Sequence, residues 1–299
     1  MRILILGGNG MIGHKIYQEL KEEFEDVWVL IRKPLESLKY KNIYDSKIID
    51  NFDLIDIDLL KKKIEILNPQ IIINAAGITI RRGINELTSK SILINSVLPN
   101  ILNEWANSKL NKKVIHFSTD CVFSGKTGPY NENSFNDAND LYGKSKSLGE
   151  ISGKNSLTLR SSMIGPELDN FTELFEWVLS QNNKKIKGFT NVLYSGITTI
   201  RMSNYIIDII KNHLDFNGLY NISSIPISKF DLIQLISKNF NLNIEIESDK
   251  SYSSNKVLDS TLFFDKTKQQ MPNWDDLIVE MKKDYLINYT IYKKYNYEH

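Results

Sequence analysis

The run Arg2-Ile3-Leu4-Ile5-Leu6-Gly7-Gly8-Asn9-Gly10-Met11-Ile12-Gly13 decides how the rest of the chain is read. Branched apolar residues break directly into glycines. The glycines lead into a segment with helical apolar spacing at Ile12, Ile16 and Leu20. Gly7, Gly10 and Gly13 stand three apart. Between a strand and a helix, the first glycine allows a tight turn and the second lets backbone approach a pyrophosphate. The third lets helix and strand pack closely, and the helix N-terminus faces the phosphate charge. Gly7, Asn9, Gly10, Met11, Ile12 and Gly13 are therefore expected to cradle a dinucleotide.

Outward from this loop, β-branched runs alternate with amphipathic segments, the pattern of a parallel sheet flanked by helices. Strands are expected at 2–6, 27–31, 47–50, 70–74, 113–118 and 156–160. Helices are expected at 11–22, 55–67, 86–108 and 140–151. Residues 119–139 turn to Gly, Pro, Asn, Asp and Ser, a loop at the carboxyl edge of the sheet, where such folds bind ligands. Beyond 161 the alternation is irregular, with helices expected at 170–179, 199–212 and 227–240, a loop at 188–198 and a short strand at 243–247. The expected fold is α/β: a Rossmann-type doubly wound parallel sheet over 1–160. Residues 161–299 would form a smaller α/β substrate lobe, with segments free to return to the sheet.

Composition narrows the partners. With 37 basic and 36 acidic residues the net charge is +1, which gives no electrostatic footprint for nucleic acid or an anionic membrane. The single cysteine, Cys121, excludes an internal disulfide and a thiolate-rich metal site, and His14, His116, His213 and His299 are too scattered for a metal motif. No metal is expected. The apolar run at 3–6 is too short for a secretory core, and no apolar stretch approaches membrane-spanning length. A cytoplasmic protein is expected, and a homodimer is compatible with it.

The end of the second strand selects the nucleotide. An acidic residue there would bond a ribose 2′-hydroxyl, whereas this chain has Arg32-Lys33, two cations suited to a 2′-phosphate or else a solvated basic turn. NADPH is the expected cofactor, with NADH also admissible. Asp53-Leu54 lies where a carboxylate would meet the adenine amino group, and Asp56 equally suits a helix cap. Gly125-Lys126-Thr127 imitates the end of a Walker loop, but Asp120 occupies the place of its first glycine and Gly128-Pro129 follows, so it is set aside.

Tyrosine followed four residues later by lysine occurs at Tyr17/Lys21, Tyr142/Lys146, Tyr252/Lys256 and Tyr289/Lys293. Only Tyr142/Lys146 opens a helix after the carboxyl-edge loop with a strand-terminal hydroxyl, Thr119, upstream. Residues four apart share a helix face, so the Lys146 ammonium can lower the Tyr142 pKa and bond the cofactor ribose. Tyr142 would protonate a carbonyl oxygen as hydride arrives at its carbon, and Thr119 would orient that oxygen.

The segments Gly7–Gly13, IINAAG at 72–77, HFSTDCVFSG at 116–125, LYGKSKSLGE at 141–150 and LTLRSSMIG at 157–165 carry a resemblance. So do SGITT at 195–199 and VLDS at 257–260. The chain resembles the extended short-chain dehydrogenase/reductases, and within them the dTDP-4-dehydrorhamnose reductases and related sugar-nucleotide reductases. The resemblance implies reduction of the 4-keto group of a nucleotide-linked 6-deoxyhexulose, by Thr119, Tyr142 and Lys146, for deoxysugar and surface polysaccharide synthesis. It places Ala75, Ala76 and Gly77 along the cofactor and gives Asn95 a supporting role there. It puts Asp120 near the sugar, where an Asx-type turn cap is the alternative.

Two positions depart from that pattern. Cys121 replaces the usual tyrosine after the Thr-Asp pair, as a thiol or simply a small packed residue. Asn255-Lys256 replaces an Arg-Pro pair in the later substrate segment, while Ser195 opens the earlier one. Both leave the sugar, and dTDP against UDP, open. Arg160 and Arg201 could reach a diphosphate or serve structural ion pairs. Arg81-Arg82 suits a substrate or a solvated turn, and Trp177 a nucleobase or the core. An epimerase or a 4,6-dehydratase is a same-class alternative, although dehydratases carry an acidic pair after the threonine and Cys121 breaks it. A reductase of UDP-linked N-acetyl deoxyhexuloses is another. A non-catalytic regulatory subunit, as in methionine adenosyltransferase, is the alternative of another class.

Overall fold

β1 (Ile3–Leu6) is buried at every position and pairs in parallel with β2 (Val27–Leu30) on one side and β4 (Ile71–Asn74) on the other. Its residues divide between two cores. Ile3 and Ile5 join one with α1 (Met11–Glu23), α7 (Thr199–Asn212) and α10 (Trp274–Ile287). Leu4 and Leu6 join the other with α2 (Ile57–Leu67) and α4 (Leu98–Ser108). A strand covered on both faces must be apolar continuously rather than alternately, which is why the N-terminal run was legible. Each such buried side chain contributes roughly 1.5–3 kcal/mol, so a polar replacement in β1 would open both layers.

The computed structural model describes residues 1–79 and 88–292. Among these, one parallel sheet of seven strands runs in the order β10 (Gly218–Asn221), β6 (Ser156–Arg160), β5 (Lys113–Ser118), β4, β1, β2, β3 (Ile48–Ile49). The chain builds outward from β1 to β3, then crosses back to start the other half at β4. The switch point between β1 and β4 is where a doubly wound sheet opens a crevice. β10 and the helices α7 and α10 come from beyond residue 161 and return to this sheet and its cover. Lys15 on α1, fully buried, is neutralised by Asp284 on α10 at 2.6 Å.

The 86–108 helix is interrupted, and its first residues lie outside the described ones. α3 (Thr88–Ile92) passes into a π turn, Leu93–Val97, before α4. Pro99 has no amide hydrogen for the Asn95 carbonyl four residues earlier, and the Leu98 amide bonds back to Leu93 instead. The loop expected at 188–198 is mostly strand: β8 (Lys184–Tyr194) and then β9 (Ile197–Thr198), which pairs with β7 (Met163–Ile164). β8 pairs in parallel with β12 (Ile244–Asn255), far longer than the strand expected at 243–247. Solvent on one face fills these strands with charge, as where Lys185 bridges Glu245 and Glu247 at 2.9 and 2.7 Å, and that masked them. The helix expected at 227–240 loses its first two residues to β11 (Ile227–Ser228), antiparallel to β8. It runs as α8 (Lys229–Asn239), capped by Ser228. The helix expected at 170–179 shrinks to α6 (Leu174–Leu179), because Asn170 and Phe171 take left-handed φ of 67° and 52°.

Candidate active site

The β1–α1 turn is built by close approach. Gly7 has φ +83°, and a Cβ there would meet the Ala76 amide nitrogen at 2.8 Å; one on Gly13 would meet the Gly7 carbonyl oxygen at 2.1 Å. Only glycine holds the turn against both β4 and α1. The N-cap of α1 is Gly10, which offers no capping side chain, so the helix's first amides are available to ligand oxygens. Ten expected residues line one cavity at this switch point: Gly7, Asn9, Gly10, Arg32, Lys33, Asp53, Leu54, Ala75, Ala76 and Gly77. Leu30, Phe52 and Ile94 add an apolar slot, and Lys90, Asp169 and Asn170 add polar groups that the sequence did not single out. Glycine cradle, apolar slot and two cations at the end of β2 fit a dinucleotide.

Three cofactor expectations are refined. Met11, Ile12 and Gly13 form the first turn of α1 rather than the cavity lining, and the Ile12 side chain is buried in the core. Asn95 does not face the cavity. Its Oδ1 accepts from the Ile78 amide at 2.9 Å, while its Nδ2 donates to the Ile78 carbonyl at 2.9 Å and Ser145 Oγ at 3.1 Å. It joins the loop after β4 and the π turn to the helix that carries Ser145. Asp56 is the α2 cap, accepting from the Leu59 amide at 2.9 Å.

α5 (Leu141–Leu148) carries the tyrosine and the lysine. Asp140 caps it by accepting from the Gly143 amide at 2.9 Å. At Gly143 a Cβ would meet the Cys121 carbonyl oxygen at 2.2 Å, so glycine lets the helix press against the turn after β5. That turn is held by Thr119, whose Oγ1 accepts from the Cys121 amide and donates to Asp120 Oδ1, each at 3.1 Å. Tyr142 lies beside it. Burial pushes its phenol well above the ordinary 10, with Cys121 and Asp120 adding to the rise and the Thr119 hydroxyl bond opposing it.

Lys146 departs from expectation. Its ammonium donates to the Phe117 carbonyl at 2.6 Å and lies 3.5 Å from His116 Nε2, deep under β5. Burial lowers its pKa to about 8, against an upward pull from Glu150.

Of the residues expected at the substrate, Asp120 and Cys121 act on Tyr142, and Lys256 acts on Cys121. Burial and Asp120 push the Cys121 thiol up to about 12, with Lys256 pulling the other way. Arg160 is corrected: 2% exposed, it is held by Glu150 through two 2.8 Å bonds and is not available to a diphosphate. Ser195 is corrected too, because its Oγ is buried and accepts from the Leu258 amide at 3.0 Å. Arg201 pairs with Glu280 at 2.9 Å, and Trp177 is 37% exposed on α6. Arg81-Arg82 lies outside the described residues. Tyr194, at the end of β8, and Glu173, before α6, also face this cluster, since both act electrostatically on Tyr142 or share its neighbours. A tyrosine directly before the quoted 195–199 segment was the one available signal. Among the described residues, no group of three His, Cys, Asp or Glu side chains could hold a metal ion, and no helix is long and apolar enough to cross a membrane.

A family model described as the RmlD substrate binding domain matches residues 1–287. The chain belongs to that family. A curated relative, the spore coat polysaccharide biosynthesis protein SpsK of Bacillus subtilis (strain 168), is 25% identical over 229 residues, covering 75% of this chain and 73% of its own. Methionine adenosyltransferase 2 subunit beta of Xenopus tropicalis is 29% identical over 156 residues, 50% of this chain and 41% of its own. Among solved structures, dTDP-4-dehydrorhamnose reductase from Bacillus anthracis str. Ames, in complex with NADP, superposes with a TM-score of 0.77. It is 20% identical and covers 95% of this chain and 99% of its own. This RmlD-family chain thus shares the fold of the dTDP-4-dehydrorhamnose reductase from Bacillus anthracis.

Proposed function

We propose that this protein reduces the 4-keto group of a nucleotide-linked 4-keto-6-deoxyhexulose, using NADPH and accepting NADH. The observation that carries the reading is a half-buried Tyr142, at the start of α5, beside Thr119 at the carboxyl end of β5. The π turn links that pair to the glycine-lined cavity through Ile78, Asn95 and Ser145. When bound, the nicotinamide supplies hydride to the carbonyl carbon. Thr119 then orients the carbonyl oxygen, and Tyr142 passes its phenolic proton to it. A phenol is protonated at neutral pH and so can donate, but the raised pKa makes it a weaker acid, so the transfer needs positive charge brought near it. Lys146 has to exchange the Phe117 carbonyl for the cofactor ribose, bringing positive charge towards Tyr142 as the proton leaves.

Asp120, Cys121 and Lys256 face the sugar in this reading. The family and the name of the Bacillus subtilis relative support a place in the synthesis of a surface polysaccharide. The likeness to a methionine adenosyltransferase beta subunit supports a second reading, a regulatory subunit on the same fold. Retention of Thr119, Tyr142 and Lys146 favours the enzyme. The test is oxidation of NADPH, and separately NADH, with dTDP- and UDP-linked 4-keto-6-deoxyhexuloses, with and without a 3,5-epimerase. Turnover identifies base, epimer and cofactor together. Cofactor binding without turnover of these or of N-acetylated hexuloses would favour the regulatory subunit.

A further inference from the structure

Lys33, expected to meet a 2′-phosphate at the end of β2, already has an anion. Its ammonium lies 3.0 Å from Asp169 Oδ2, and the Tyr40 hydroxyl donates to the same oxygen at 2.5 Å. Asn9 of the glycine loop extends the chain of contacts. Its Nδ2 is 3.4 Å from the Tyr40 hydroxyl and its Oδ1 accepts from the Arg32 amide at 3.1 Å. Asp169 arrives from far along the sequence, on the loop between β7 and α6. That loop is fixed: Leu168 is buried, Glu167 accepts from the Thr172 and Glu173 amides at 2.7 and 2.8 Å, and Asn170 and Phe171 are both left-handed. The carboxylate is thus held over the cavity that Arg32, Lys33 and Asp53 line.

We propose that Asp169 is a specificity-determining residue for the cofactor: it competes with a 2′-phosphate for Lys33 and offers an acceptor to an unphosphorylated ribose, so that NADH is taken alongside NADPH. The inference rests on the nicotinamide-reductase reading and names the residue that sets its cofactor choice. A phosphate at this site meets a like charge and has to displace an ion pair already made. A 2′-hydroxyl meets a carboxylate, the group that reads it in NAD-selective relatives of this fold. The basic pair Arg32-Lys33 taken alone overstates the preference for NADPH.

Calorimetric titration with two cofactor fragments, 2′,5′-ADP and 5′-AMP, tests this without turnover. Asp169→Asn should tighten 2′,5′-ADP by about fivefold, the scale of one partly exposed charge pair, and leave 5′-AMP unchanged or weaker. The gain should shrink when Lys33→Ala is combined with Asp169→Asn, because the part that comes from freeing Lys33 acts through that one contact. Equal effects on both fragments, no effect on either, or a full gain without Lys33 would overturn the proposal. Failure of both fragments to bind the unaltered protein would instead remove the nucleotide-cavity reading itself.

Discussion

Arg160 and Glu150 meet in two parallel bonds, Nε to Oε1 and a terminal nitrogen to Oε2, each 2.8 Å, with the side chains 2% and 8% exposed. The pair ties β6 to the end of the α5 segment. Ser118 Oγ on β5 donates to the same carboxylate at 2.6 Å, and Asn136 Nδ2 at 2.8 Å. The guanidinium lies 4.8 Å over the Phe123 ring. Removing one partner strands a buried charge, so Arg160→Met should destabilise by about 3–5 kcal/mol, while Arg160→Met with Glu150→Gln recovers much of that loss. Urea unfolding of the three proteins checks it. A single-variant loss under about 1 kcal/mol would show that the pair does not hold this corner.

Tyr142→Phe removes the proton donor but keeps the ring that fills the space beside Thr119. Turnover should fall by about 10²- to 10⁴-fold, the usual worth of a positioned acid, with cofactor affinity within a few-fold. Steady-state rates and cofactor fluorescence titration separate the two effects. Retention of near-normal turnover would exclude Tyr142 as the acid.

The sheet was legible where strands are buried on both faces. β5 and β6 run over the residues their apolar character marked out, and β1 lost only its first residue. β8 and β12 escaped because one face is wet and carries Lys185, Glu245 and Glu247 in place of apolar residues. The glycine cavity was readable because its turn is local, with Gly7, Gly10 and Gly13 spaced three apart. Asp169, Tyr194 and Glu173 carried no such signal, since their place at the site depends on a lobe folding back. Arg160 misled for a related reason: a cation at a strand's carboxyl end resembles a ligand group until the fold brings Glu150 to it.

Gly143→Ala tests how tightly α5 is docked. Alanine is the better helix former by up to about 1 kcal/mol, which alone would stabilise the helix. Its Cβ would sit 2.2 Å from the Cys121 carbonyl oxygen and 2.4 Å from Ala138 Cβ, and neither is the far end of a flexible side chain. The clash wins: α5 has to lift, at a cost of about 1–3 kcal/mol, and Tyr142 moves away from Thr119. Denaturation midpoint and turnover should therefore fall together. A variant more stable than the parent would show that the helix has room there.

Lys146→Met should raise stability at neutral pH while abolishing turnover. In the folded chain burial lowers this ammonium's pKa to about 8, against an ordinary 10.5. Between those two values the unfolded chain binds more protons than the folded one, so this residue makes stability rise with pH across that window. Below about 8 both states are protonated and the full cost of burying the charge is felt; above 10.5 it is gone. The stability advantage of Lys146→Met over the parent should therefore be largest near pH 7 and shrink steadily from pH 8 to 10.5. Taking the difference between the two proteins cancels Lys113, whose pKa burial also lowers to about 8. Cofactor binding in the parent should weaken through the same window as Lys146 loses its charge, and the variant should lack that pH dependence. Parallel stability curves for the two proteins would show that Lys146 is not a buried charge held by the Phe117 carbonyl.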